Sequence, residues 1–326
     1  MISIIILNWN GWKDTIECIK SLYKVSSISF TVIVVDNGSA NDSVSQISKF
    51  VEENYFHVLY VDEGESLDTP LKDRDLVLYK LSENYGFAKG NNMGLKLLKD
   101  QIIDYFWILN NDTVVEHDSV KLLMDFMEQH KDYVACTPQI RYFMPSNRIW
   151  NCGGKLFFGF RKYYYNEEEN IIFKKDYFDI SFVTGCALFI RPQLLDENVN
   201  LFTERFFFGE EDFEFSLRMR QQKRKIACCP HSIIYHKVSA STQDRPKLTN
   251  IYIYYLNRFI NIRQHFSKHE FFLWRLINYF YIPLLLFKIG YKRKVISEFM
   301  NVLKTECFMY DGVDKAMFNN RKELSK

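Results

Sequence analysis

The chain has 326 residues, 47% hydrophobic and 25% charged, with 13 glycines and 7 prolines. That is length enough for two domains, or for one large domain with an appendage, and it excludes a disordered, collagen-like or linker-dominated protein. A net charge of +2 conceals an asymmetry: residues 1–250 carry 29 Lys and Arg against 34 Asp and Glu, and residues 251–326 carry 13 against 6, so the tail alone suits an anionic surface.

Five short apolar runs, at residues 2–7, 31–35, 57–61, 76–78 and 105–109, alternate with segments of helical periodicity at 12–23, 42–53, 88–100 and 118–129. Continuous apolarity without alternation marks strands covered on both faces, so the first half reads as a doubly wound α/β sheet. The first run is too short for a signal peptide and lacks a basic flank, so no export is expected. Residues 62–75 are acidic and aperiodic and read as a solvated loop.

From Val134 the pattern becomes strand-like and aromatic, with pieces at 148–160, 163–165, 171–173 and 181–190, a helix at 210–222, and strands near Ile226 and Ile233. Small polar residues at 238–247 read as a surface linker or as a lid over a bound ligand. Helices are expected at 249–266, 270–287 and 294–308. The longest apolar stretch, 276–287, holds about a dozen residues and is interrupted by Pro283, short of the ~20 that a spanning helix needs. The expected organisation is a catalytic domain over 1–248, with halves 1–133 and 134–248, and a helical region over 249–326. Seven cysteines without a C-x-x-C pair suggest neither a disulfide framework nor a zinc cluster and fit a reducing cytoplasm.

Open α/β sheets bind ligands beyond the carboxyl ends of their strands. Those ends are polar here: Asn8-Trp9-Asn10-Gly11, Asp36-Asn37-Gly38-Ser39 and Asn110-Asn111-Asp112-Thr113. Each alone reads equally well as a turn and helix cap. Three converging on one edge, two of them with a carboxylate, point to a site. Asn84 to Gly94 opens a helix with three glycines, which would let a ligand approach the positive helix end; it is neither G-x-G-x-x-G nor a Walker loop. Glu210-Glu211-Asp212 after a glycine and an aromatic run is more acid than helix capping requires, and suits a general base. His236 ends a strand; with Asp112 it would form an oxygen and nitrogen site for a hard divalent ion.

Taken in order, these motifs, with Thr184-Gly185-Cys186, resemble the family 2 inverting glycosyltransferases of GT-A fold, most closely their rhamnosyltransferase-like bacterial branch, over residues 1 to about 265. The resemblance implies a nucleotide-binding half with a parallel sheet continuous with a mixed-sheet acceptor half, followed by C-terminal helices. It implies that Asp36 accepts a hydrogen bond from the base of a uridine or thymidine diphosphate sugar, with Leu7, Asn8, Trp9 and Asn91 lining that pocket. Asn110, Asn111 and Asp112 would stand at the family's D-x-D motif, Asp112 holding Mn or Mg and His236 adding a further ligand. Asn110 departs from the motif and removes one carboxylate from the metal. Asp212, after Glu211, would be the base.

The resulting expectation is a cytoplasmic enzyme of polysaccharide biosynthesis. It would move a sugar, rhamnose among the candidates, from a nucleotide diphosphate donor to a hydroxyl of a glycan or lipid-linked glycan acceptor at the cell surface. The alternatives are a UDP-hexose or UDP-N-acetylhexosamine transferase of the same fold, or a catalytically silent glycan- or nucleotide-binding protein. No nucleic-acid partner is expected. The basic, aromatic tail would touch the inner face of the membrane peripherally, or pack on the body or on a second copy in a homodimer.

Overall fold

The computed structural model describes residues 1–24, 28–54, 57–164, 174–238 and 247–320. The predicted piece at 171–173, Tyr165, and residues 239–246 of the predicted lid lie outside these. Strands β1 (Ile2–Asn8), β2 (Phe30–Asp36), β3 (Val58–Asp62), β4 (Leu76–Lys80) and β5 (Tyr105–Asn110) run parallel in the order β5-β1-β2-β4-β3. Helices α1 (Trp12–Tyr23), α2 (Ser43–Glu53), α3 (Phe87–Leu97) and α4 (Ser119–Gln129) cover the sheet. Alternate residues of one strand therefore enter different cores: Ile4 and Ile6 pack with Ile19 and Leu123, while Ile5 packs with Val35 and Leu95. That two-sided burial is why these strands read as unbroken apolar runs.

The chain returns past β1 to place β5 on its other side, so the carboxyl ends of β1 and β5 flank a crevice. From β5 the sheet continues through β12 (Ala187–Ile190), β7 (Tyr133–Tyr142), β13 (Lys225–His236) and β11 (Phe178–Ile180). Two short strands pair off this path, β6 (Thr113–Val115) with β13 and β8 (Ile149–Asn151) with β7, and β9 (Gly154–Phe157) and β10 (Phe160–Tyr163) form a separate hairpin. Strand β12 is antiparallel to both β5 and β7 and joins the two halves.

Two elements differ from expectation. Strand β7 was not among the expected strands; Pro138 stands in its middle, where a missing N–H breaks the ladder. Its neighbour β13 accommodates this with a bulge between Cys229 and Ile233, the region that contains Pro230. That bulge also explains why β13 reads in the sequence as two strands. The helix expected at 270–287 forms and runs through Pro283.

The helices after the sheet are α5 (Glu211–Gln221), α6 (Lys247–His265), α7 (Lys268–Ile289), α8 (Arg293–Met309) and α9 (Lys315–Asn320). Helix α7 starts on a capping box between Ser267 and Glu270, runs through Pro283, and ends at Gly290 with φ 105°. Proline in a helix interior loses one backbone hydrogen bond; burial of Ile282 and Leu286 on either side offsets it. At 22 residues α7 is long and apolar enough to cross a membrane, yet Phe271, Trp274, Ile282 and Leu286 face a core shared with α6, α8 and the catalytic body. Leu156, Phe182, Phe213 and Leu217 of the body close that core.

The glycines of α3 serve packing. A Cβ on Gly90 would lie 2.6 Å from Leu7 Cδ1, and one on Gly94 2.8 Å from Val35 Cγ2. Gly86 takes φ +85°, and a Cβ there would lie 2.0 Å from the Phe207 carbonyl oxygen. That carbonyl accepts a hydrogen bond from Phe87 N–H at 3.2 Å. The approach expected to admit a ligand is thus occupied by the chain itself. Gly86→Ala forces both a left-handed alanine and a clash, each costing about 1–3 kcal/mol. We expect a melting temperature lowered by several degrees in thermal denaturation, with Gly64→Ala, whose Cβ meets open space, as the control for φ alone.

Candidate active site

The carboxyl ends of β1, β2 and β5 meet as the register dictates, with Asn8 opposite Asp36 and Leu7 opposite Asn110. Asp36 is buried, and its Oδ1 accepts from Asn8 Nδ2 at 2.6 Å and from the Ser39 hydroxyl at 2.6 Å, while Oδ2 accepts from Ser39 N–H at 3.0 Å. A carboxylate has about four acceptor positions, so one remains on Oδ2. Thr15 donates to Asn8 Oδ1 at 2.8 Å and accepts from Asn111 Nδ2 at 3.0 Å, tying β1 to the loop after β5. Trp9 projects from the same edge, 48% exposed. Asn91 is buried in the first turns of α3, donates to Phe87 O, and keeps an Oδ1 without a hydrogen-bond partner.

Asp112 and His236 come together as the sequence suggested. Strand β6 carries the loop after β5 alongside β13, with Thr113 opposite His236, and His236 Nε2 lies 3.0 Å from Asp112 Oδ1. Trp150 packs edge-on against the imidazole at 4.5 Å between centroids. Burial alone would depress the His236 pKa; the adjacent Cys186 and Asp112 outweigh it and lift it to about 10. Lys237, next along the chain, is committed to Asp14 and Glu17.

The acidic cluster does not act as one group. Gly209 at φ 90° and Glu210 at φ 72° turn the chain so that Glu210 points inward. There its carboxylate lies between Arg161, at 3.0 Å, and Arg258, whose Nε donates to the other oxygen. Arg161 on β10 and Arg258 on α6 stand 49 residues before and 48 after Glu210, so no local pattern announced them. Asn257 donates to the carbonyls of Phe208 and Gly209, and Asn261 to that of Glu210, so α6 grips the whole turn. Phe213 and Tyr254 close over the guanidiniums, Arg258 lying 3.5 Å from the Phe213 ring centre.

Asp212 follows in the first turn of α5, with 21% of its side chain exposed and Arg161 at 3.8 Å. Its pKa is raised: burial lifts it, Glu210 adds to that, and Arg161 and Arg258 draw it only part of the way back. Glu211 is buried, its Oε2 has no hydrogen-bond partner, and burial plus the charge of Asp212 push its pKa up to about 8. Glu214 is bound to Arg218 and lies 3.2 Å from His265, away from the others. The two clusters are bridged by covalent and hydrogen-bonded links. Cys186 adjoins His236; three residues before it, Val183 N–H donates to Ser216 Oγ at 3.2 Å, and Ser216 donates to Asp212 O at 2.7 Å. Three residues span at most ~11 Å. The partly exposed Asp212 carboxylate thus lies on a turn linked through Ser216 and residues 183–186 to the Asp112–His236 pair.

This fold is the GT-A fold, and the chain belongs to glycosyl transferase family 2: the profile of "Glycosyl transferase family 2" matches residues 3–198, and that of "Glycosyl transferase family group 2" matches 105–305. A low-salt glycan biosynthesis hexosyltransferase, Agl10, of Haloferax volcanii is 25% identical over 272 residues, 82% of this chain and 77% of that protein. Among solved structures, a mannosyltransferase from Pyrobaculum calidifontis, in complex with GDP-Man and Mn2+, superposes with a TM-score of 0.56 at 12% identity. That match covers 99% of this chain and 85% of the other. Residues 1–349 of TarS from S. aureus superpose at 0.55 and 14% identity, covering 99% of this chain and 90% of that one. The protein is a glycosyltransferase.

Glu211 gives this arrangement a pH signature. Below about pH 4.5 its carboxyl is protonated in both states; between there and about 8 the unfolded chain releases the proton and the folded one keeps it. Stability therefore falls as pH rises through that window and levels off above about 8. Glu211→Gln removes this contribution, so urea unfolding should find the variant similar to wild type near pH 4.5 and more stable at pH 8.5.

Proposed function

We propose that the enzyme transfers a hexose or deoxyhexose from a nucleoside diphosphate donor, with inversion, to a hydroxyl of a cytoplasmic, lipid-linked precursor of a surface glycan. Residues 1–133 would bind the donor and 134–248 the acceptor, with the helices from 249 onward bracing the catalytic turn. The observation that carries this reading is Asp212, partly open to solvent beside Arg161, at the end of a turn clamped from two sides. The hexosyltransferase relative favours a hexose over the rhamnose of the sequence resemblance.

Asp212 takes the proton of the acceptor hydroxyl as that oxygen bonds to the anomeric carbon; the bond from that carbon to the diphosphate breaks, and the nucleoside diphosphate leaves with the electron pair. Arg161 opposes the effect of burial on Asp212 and so favours its ionised form, and buried Glu211 has no open path to the acceptor. At the other edge Leu7, Asn8 and Trp9 line the base pocket, the free position on Asp36 Oδ2 accepts from the base, and Asn110 and Asn111 reach the ribose. The unpartnered Asn91 Oδ1 accepts from the same nucleoside.

A divalent cation is suggested by structural neighbours with Mn2+. Among the described residues no three His, Cys, Asp or Glu side chains gather. Asp112 would hold Mg or Mn bound chiefly through substrate phosphates and water, and His236, whose raised pKa leaves it an imidazolium beside Asp112, would join as a ligand only on losing that proton. Such an ion would neutralise charge on the departing diphosphate.

Asp212→Asn should lower transfer by at least ~10²-fold, the usual contribution of a general base, while nucleoside diphosphate affinity measured by calorimetry stays within a few-fold. Wild-type-like transfer by the folded variant refutes the assignment. Donor-hydrolysis screening of UDP-hexoses, UDP-N-acetylhexosamines and dTDP-rhamnose, with and without Mn, separates the sugar classes; no nucleotide binding at all would instead indicate a silent binding protein.

A further inference from the structure

Helix α7 buries one face and leaves the other bare. Phe272, Leu273, Leu276, Ile277, Phe280, Tyr281, Leu284 and Phe287 recur at helical spacing on the solvent side, and Phe280 and Leu284 are each 69% exposed. Phe308 and Met309, at the end of α8, are exposed as well. An apolar surface this continuous is unusual on a water-facing protein and marks a docking site.

The charge around it identifies the occupant. Between residues 268 and 294 stand Lys268, Arg275, Lys288, Lys292, Arg293 and Lys294, against the single acid Glu270. A second copy of the chain, docked about a two-fold axis, would bring like charges together with few acids to pair them. An anionic lipid surface pairs with all of them. We propose that the outward face of α7 docks on an anionic bilayer leaflet, the helix lying in the plane of the surface.

Three further features fit that placement. Trp274, Ile282 and Leu286 are held inside the protein, so α7 cannot be surrounded by lipid as a spanning helix is. A groove of about 500 Å³ opens between α7 and α8, with Leu284 and Phe287 on one wall and Arg293 and Lys304 on the other, a pairing suited to an acyl chain beside a phosphate. Finally, Trp274 packs against Phe160 and closely approaches Gly159 of the β9–β10 turn, two residues from the Arg161 that faces Asp212. The lipid surface would then lie beside the acceptor end of the active site.

The full chain should co-sediment with vesicles of phosphatidylcholine and phosphatidylglycerol and not with phosphatidylcholine alone, and raising salt from about 0.1 M to about 1 M should release it. Phe280→Asp combined with Leu284→Asp, both solvent-exposed, should abolish binding without changing the melting temperature. Lys292→Glu with Arg293→Glu, which keeps the apolar face, should weaken it at least ~10-fold. These readouts are independent of glycosyl transfer. No sedimentation with the anionic vesicles at low salt overturns the proposal, as does undiminished binding by the Asp pair. A lipid-free dimer, seen by sedimentation velocity and dispersed by that pair, would assign the face to a second copy instead.

Discussion

The buried carboxylate of Glu210 between Arg161 and Arg258 is the interaction on which the catalytic half depends. Breaking a buried ion pair by removing one partner costs about 3–5 kcal/mol, because it leaves the other charge uncompensated. Here the pair joins three parts of the chain that are far apart in sequence: the β9–β10 hairpin, the Gly209–Glu210 turn and helix α6. It also sets the electrostatics of its neighbours. Two guanidiniums beside Asp212 oppose the effect of burial on that carboxylate, whereas Glu211, buried without such a partner, is driven towards its neutral form. Two adjacent acids thus acquire different characters from their surroundings.

The donor edge rests on a different kind of constraint, the ends of parallel strands. Asn8, Asp36, Ser39 and Thr15 bond to one another at the crevice between β1, β2 and the loop after β5, which fixes the loops and leaves one acceptor position on Asp36. The two edges are coupled through α3. Asn37 donates to the carbonyl of Gly86, and Phe87 N–H donates to the carbonyl of Phe207, which leads directly into the acidic turn. The glycines of α3 are what let it sit close enough to touch both sides.

The parallel half was legible because burial on both faces leaves a local signal, and the ends of β1, β2 and β5 could be read from their polar residues. Asp112 and His236 were legible for the same reason, each standing at a strand end. What the sequence concealed was non-local. Arg161 and Arg258 carry no motif, and only the folded hairpin and α6 bring them to Glu210. Tertiary packing overrides local rules at two prolines: Pro138 stands inside a central strand that was not expected and that a bulge in β13 makes tolerable, and Pro283 lies within the expected helix, which buried neighbours hold together. The glycines after Asn84 suggested a ligand cradle, but Phe207 and the sheet fill the space they leave.

The central claim is that Arg161 lowers the pKa of Asp212 against the effect of burial, favouring the ionised form that can accept the acceptor proton. Removing the guanidinium leaves the burial of Asp212 unopposed on that side and raises its pKa further, so more of the carboxyl is protonated at a given pH. The direct measurement is the pH dependence of kcat/KM for Arg161→Gln beside wild type, with folding checked by circular dichroism. The account predicts that the acidic limb of the profile moves to higher pH, with activity partly recovered on the alkaline side. A profile lowered uniformly, with its acidic limb unmoved, would contradict it.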